Sequence, residues 1–73
     1  MFNDGDVLLY NDGYDAVIIE PTNGTMDSAW RAKQRDGGGL GVGDSKLEAI
    51  LSMCRSMRRQ ADAIEKLARE KYS

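Results

Sequence analysis

The chain contains no histidine, one proline and one cysteine. Without histidine, no Ser-His or Cys-His pair and no imidazole metal ligand can be built, which removes the commonest nucleophilic arrangements. A single cysteine permits no intrachain disulfide, so the expected setting is a reducing cytoplasm. Cys54 sits among apolar positions and reads as a small buried hydrophobe, not a reactive thiol. Long apolar runs are also missing. The longest, residues 7–10 and 16–19, fall far short of the roughly twenty residues that a membrane-spanning helix needs. No membrane partner, no cofactor and no enzymatic activity are expected.

Acids slightly outnumber bases, but the two signs are unevenly placed. Residues 1–44 carry eight acids and three bases, and residues 45–73 carry four acids and seven bases. Asp4, Asp6, Asp12 and Asp15 crowd the first turns without the D-x-D-x-D-G spacing of a calcium loop, so they read as ordinary turn residues. Seventy-three residues make one small domain, residues 1–73, whose core is marginal on its own.

The dominant element is residues 45–73, expected as one long amphipathic helix. Ser45 followed by Glu48 forms a capping box. Leu47, Ile50, Cys54, Met57, Ala61, Ile64 and Ala68 then recur at alternating spacings of three and four. Leu51 and Met53 widen this stripe in the first half; in the second half Leu67 is its one apolar flank. A helix over residues 45–72 would span about 42 Å, whereas short strands reach only about 17–20 Å. Residues 55–73 are therefore expected to project past the sheet. The dimer interface assigned to them is Met57, Ala61, Ile64, Leu67 and Ala68, with Arg58 facing Glu65 of a second copy.

The first half reads as three strands, making an α+β fold of order β-β-β-α with a three-stranded antiparallel sheet. Residues 6–10 are the first strand, and Asn11-Asp12-Gly13 is a hairpin turn. Residues 14–20 are the second strand, stopped by Pro21, and Asn23-Gly24 is another turn. Residues 25–35 are the third strand, with Trp30, Ala32 and Gln34 alternating against Arg31, Lys33 and Arg35. Residues 36–44 are expected as a flexible loop. Their spacing matches a phosphate-binding loop, except that Asp44 replaces the lysine and would repel phosphate.

Strands one and two are apolar at consecutive positions, so both sheet faces carry hydrophobic side chains. One helix covers one face. The other is expected to expose a patch for a partner, unless a second copy or a folded-back segment containing Phe2 covers it. The partner-binding residues predicted are Tyr10, Asp12, Tyr14 and Asp15 with Trp30, Arg31 and Lys33, since Tyr and Trp are favoured interface anchors. A nucleic-acid contact through Arg55, Arg58 and Arg59 is the less favoured alternative, because the chain is acidic overall.

Trp30-Arg31-Ala32, the glycines of residues 38–43 and the run Gly43-Asp44-Ser45-Lys46-Leu47-Glu48-Ala49-Ile50 resemble the strand–loop–helix segment of HicB-like antitoxin domains over residues 29–53. The resemblance implies a partial double-stranded-RNA-binding-type fold and neutralisation of a small ribonuclease toxin by protein contact. In profile alone, a tiny acidic domain without catalytic residues is also similar to phage-encoded anti-defence proteins, including anti-CRISPRs. That likeness implies an inhibitor that masks a surface of a host complex. The expectation is thus a homodimeric, non-enzymatic protein-binding module.

Overall fold

The computed structural model describes residues 5–24, 28–57 and 59–72; Phe2 and Arg58 lie outside them. Four strands form one antiparallel meander in the order β1-β2-β3-β4: β1 Asp6–Tyr10, β2 Asp15–Pro21, β3 Trp30–Gln34 and β4 Leu40–Gly43. Two helices follow, α1 Lys46–Arg55 and α2 Ala61–Tyr72. The α+β class and the antiparallel sheet agree with the sequence reading. The strand count and the single long helix do not.

The fourth strand hides in the glycine stretch. Gln34 N–H donates to Gly39 O at 3.1 Å, closing a hairpin that the Gln34 side chain also pins, its Oε1 accepting from Gly39 N–H at 2.9 Å. Residues 40–43 then alternate Leu-Gly-Val-Gly, pairing with β3 so that Ala32 faces Gly41 and Trp30 faces Gly43. This is a period-two pattern in which the helix side of the strand carries no side chain at all. The reason is packing: α1 runs back along β4 with Ala49 over Gly43 and Met53 over Gly41. A Cβ on Gly41 would fall on the Met53 backbone nitrogen and 2.6 Å from the Ala49 carbonyl oxygen. Only glycine lets a helix lie this close to a strand.

The long helix breaks because four strands need two helices. Strands about 4.8 Å apart make a sheet roughly 19 Å wide, and a helix about 10 Å across covers only half of it. The chain turns between α1 and α2, with Gln60 in the left-handed region at φ 63°. That conformation costs roughly 1–2 kcal/mol. It is offset by laying α2 against α1 and β1, which buries Ile64 and Ala68 completely. Full burial of one isoleucine alone contributes about 1.5–3 kcal/mol.

The segment expected to project is therefore folded back. Of the residues assigned to the dimer seam, Ile64 and Ala68 are fully buried inside the chain, and Met57, Ala61 and Leu67 are half-buried against the same core. Glu65 pairs with Arg69 of its own helix at 3.0 Å. The seam is real, but its partner is the chain's own sheet and α1.

The core lies between sheet and helices and is built from Leu8, Tyr10, Val17, Ile19, Ala32, Ala49, Ile50, Met53, Cys54, Ile64 and Ala68. Ser45 caps α1 as its sequence predicts, its Oγ accepting from Glu48 N–H at 3.1 Å. Glu48 reaches back one residue further than the motif requires and accepts from Asp44 N–H at 3.1 Å. Among the described residues no helix is long and apolar enough to cross a membrane.

Candidate docking face

Both helices lie on one side of the sheet, so the strand register decides which residues face away. Leu8, Tyr10, Val17, Ile19, Trp30, Ala32 and Gln34 belong to the helix side. The opposite face carries Val7, Ile18, Lys33 and Leu40 as one cross-strand row, with Glu20, Arg31 and Val42 as the next. On it Leu40, Val7 and Leu9 are about half exposed, Leu9 the most at 56%. Ile18 and Val42 are half-buried.

At the centre of this face sits a small ionic cluster. The Arg31 guanidinium forks onto Glu20 Oε1 through Nε, at 3.1 Å, and through Nη2. Lys33 Nζ lies 3.5 Å from the same oxygen. The bound Arg31 guanidinium, helped by Lys33, holds the Glu20 carboxyl below its ordinary range against a smaller opposing effect of burial. Two cations share one carboxylate, so the face is apolar with a surplus of positive charge. Arg35 stands at its end, donating to Tyr14 O at 2.6 Å and to Asp36 at 3.2 Å.

The predicted partner-binding residues therefore do not form one surface. Arg31 and Lys33 lie on the open face. Tyr10 is a correction: it is 5% exposed, and its hydroxyl accepts from Gln34 Nε2 at 3.0 Å within the core layer. Alternation from Leu8 puts it there, two residues on and on the same side. Trp30 is also on the helix side, half-buried, with Lys46 Nζ 5.1 Å above its ring. Asp12, Tyr14 and Asp15 cluster at the β1–β2 turn. There Asn11 and Asp12 take positive φ, Asp15 accepts from Asn11 Nδ2 at 3.0 Å, and Tyr14 is 78% exposed.

Val7, Leu9, Ile18, Leu40 and Val42 are the face residues that the site prediction missed. The signal for the first three was present in the double-faced strands. Leu40 and Val42 could be placed only by reading Leu-Gly-Val-Gly as a strand. Arg55 and Arg59 are exposed but separate: Arg55 closes α1, and Arg59 lines a different cleft with Gln34 and Met57. Among the described residues no group of acids and cysteine is placed to hold a metal ion.

A second polar cluster ties the start of β1 to the last turn of α2. Tyr72 Oη donates to Asp6 Oδ2 at 2.5 Å, and Lys71 Nζ lies 3.2 Å from the same oxygen. The Tyr72 hydrogen bond, with Lys71 and the Val7 N–H, holds the Asp6 carboxyl down to about 2 despite its partial burial. Burial and the Asp6 carboxylate push the Tyr72 hydroxyl up. Comparison with protein-family models, with curated proteins and with solved structures returns no match.

Proposed function

We propose that the chain is a non-enzymatic protein-binding module that docks through its open sheet face. The occupant is a protein surface that carries acidic side chains among apolar ones. The observation that carries this is the exposure of Val7, Leu9 and Leu40 on one sheet face, with half-buried Ile18 beside Val7 and the Arg31–Glu20–Lys33 cluster between Ile18 and Leu40. Single exposed apolar residues are ordinary, whereas several on one sheet face point to an interaction surface. The surplus cation supplies the charge that an acidic group of the partner would meet. A phage-type inhibitor masking a surface of a host defence complex is the concrete form of this reading, and a HicB-like antitoxin covering a small ribonuclease is its nearest variant.

The experiment compares tagged wild type with Leu9→Glu and Arg55→Ala in lysate, with and without nuclease treatment. A stoichiometric protein retained by wild type and Arg55→Ala but lost with Leu9→Glu, at unchanged circular dichroism, supports the reading. A partner that Leu9→Glu still holds, or nucleic acid whose retention depends on Arg55, refutes it.

A further inference from the structure

The meander leaves two sheet edges, β1 and β4, and they are treated differently. The parity of the ladder follows from three turn bonds: Gln34 N–H to Gly39 O, Arg35 N–H to Ala16 O and Thr22 N–H to Ala29 O. With the register, these bonds point the backbone groups of Val7 and Leu9 outward from β1, and those of Leu40 and Val42 outward from β4. On β1 the outward groups of Val7 are taken by side chains. Its N–H donates to Asp6 Oδ1 at 2.8 Å, and its carbonyl accepts from Lys71 Nζ at 3.1 Å. On β4, among the described residues, the outward groups of Leu40 and Val42 meet no side chain. Nor does β4 carry the charge, proline or bulge that normally guards an edge.

Beside that open edge runs a cleft of about 310 Å³ lined by Val42, Gly43, Glu48, Leu51, Ser52 and Arg55. Leu51 and Ser52 follow Glu48 by three and four residues and precede Arg55 by four and three, so all four lie along one lateral stripe of the helix. The stripe has an acid at its start, a half-buried leucine and a serine in the middle, and a base at its end. Arg55 has no ion-pair partner among the described residues.

This surface is self-complementary. We infer that a second copy of this chain pairs antiparallel along β4, with a two-fold axis passing near Gly41 and the Leu51–Ser52 level of α1. Leu40 would exchange both backbone hydrogen bonds with Val42 of the second copy, and Val42 with its Leu40. The same axis sets Glu48 of each α1 against Arg55 of the other, and brings the Leu51 side chains together over the joined strands. The helix and the strand specify the same axis independently, because Gly41 lies beneath the span from Ala49 to Met53. That coincidence is what an isologous interface requires. The joined sheet is continuous and its two open faces lie side by side.

The test uses the full chain. Sedimentation equilibrium should show a concentration-dependent species of twice the 8.1 kDa chain mass. Arg55→Glu sets two carboxylates against each other at both ends and should raise the dissociation constant about tenfold. Adding Glu48→Lys to that variant reverses both signs and should restore association, with circular dichroism confirming that each variant folds. Amide exchange supplies a second readout. The Leu40 and Val42 amides should slow as concentration rises, while those of Gly41 and Gly43, already directed at β3, stay unchanged. A chain that remains at 8.1 kDa at millimolar concentration overturns the inference. So does a dimer indifferent to Arg55→Glu, or one whose Leu40 and Val42 amides still exchange freely.

Discussion

Replacing Gly41 by alanine tests the closest approach in the molecule. In an ordinary strand this substitution stabilises, because glycine costs about 0.5–1 kcal/mol relative to alanine. Here the added methyl would lie 2.6 Å from the Ala49 oxygen and still closer to the Met53 nitrogen, where carbon contacts normally settle at about 3.5–4.0 Å. Both obstacles are helix backbone, so no side chain can rotate away. The remaining relief is to lift α1 off β4 by about an ångström, a gap that forfeits a quarter to a half of the dispersion attraction across the layer. Overpacking generally costs about 1–3 kcal/mol, and an obstacle that cannot yield puts Gly41→Ala at the upper end, about 3 kcal/mol.

A chain of this length has roughly 4–11 kcal/mol of total stability, so the loss is a large fraction of it. The midpoint temperature should fall by about 12–24 °C. Gly38→Ala is the matched control. A Cβ there meets nothing within 4 Å, and its φ is not positive, so it should stabilise by about 0.4–1 kcal/mol through the unfolded chain. Urea melts followed by far-ultraviolet circular dichroism, with unchanged slope as the check on two-state behaviour, give both values. Gly41→Ala and Gly38→Ala should therefore shift stability in opposite directions. A Gly41→Ala variant as stable as wild type would refute the account of how α1 sits on the sheet.

Four further outcomes follow from single contacts. Ile64→Asp, which a dimer seam would make a simple monomer test, should instead unfold the chain, because it puts a carboxylate at a fully buried position; Ile64→Ala should cost about 2–5 kcal/mol in the same melts. Ser45→Ala removes the cap on Glu48 N–H and should cost about 1 kcal/mol. Gln60→Gly relieves the positive φ at the inter-helix turn and should raise stability by about 0.5–1 kcal/mol, the left-handed penalty less the added backbone entropy of glycine. The Asp6–Tyr72 bond sets an acid dependence: a carboxyl depressed from 3.8 to about 2 stabilises the fold above pH 4 and loses that contribution as pH falls towards 2. With Asp6 about a third exposed, its worth is about 1–2 kcal/mol after screening. The stability gap between wild type and Tyr72→Phe should therefore narrow between pH 4 and pH 2, and a constant gap would assign the bond no ionic character.

What the sequence conveyed, and what it withheld, divides along the range of the interactions. Local chemistry was legible: Asp6–Tyr10 is a strand within its expected bounds, Ser45 is a cap, and Trp30, Ala32 and Gln34 share a face opposite Arg31 and Lys33. Each is decided by residues a few positions apart. The fourth strand was not legible because its evidence is a missing side chain. Gly41 and Gly43 signify flexibility until a helix is known to press on them, and that helix comes from the next element. The break between α1 and α2 was hidden for the opposite reason. The same apolar spacing runs through both helices because both bury that face on one core, so periodicity carries no mark where the chain reverses. The two omissions are linked: a third strand beneath one long helix leaves half the apolar seam exposed and invites a dimer to cover it. With β4 in place the sheet is wide enough to need α2, and the seam closes on its own chain. What the helices leave uncovered is the sheet face of Val7, Leu9 and Leu40, and what no fifth strand pairs is the outer edge of β4.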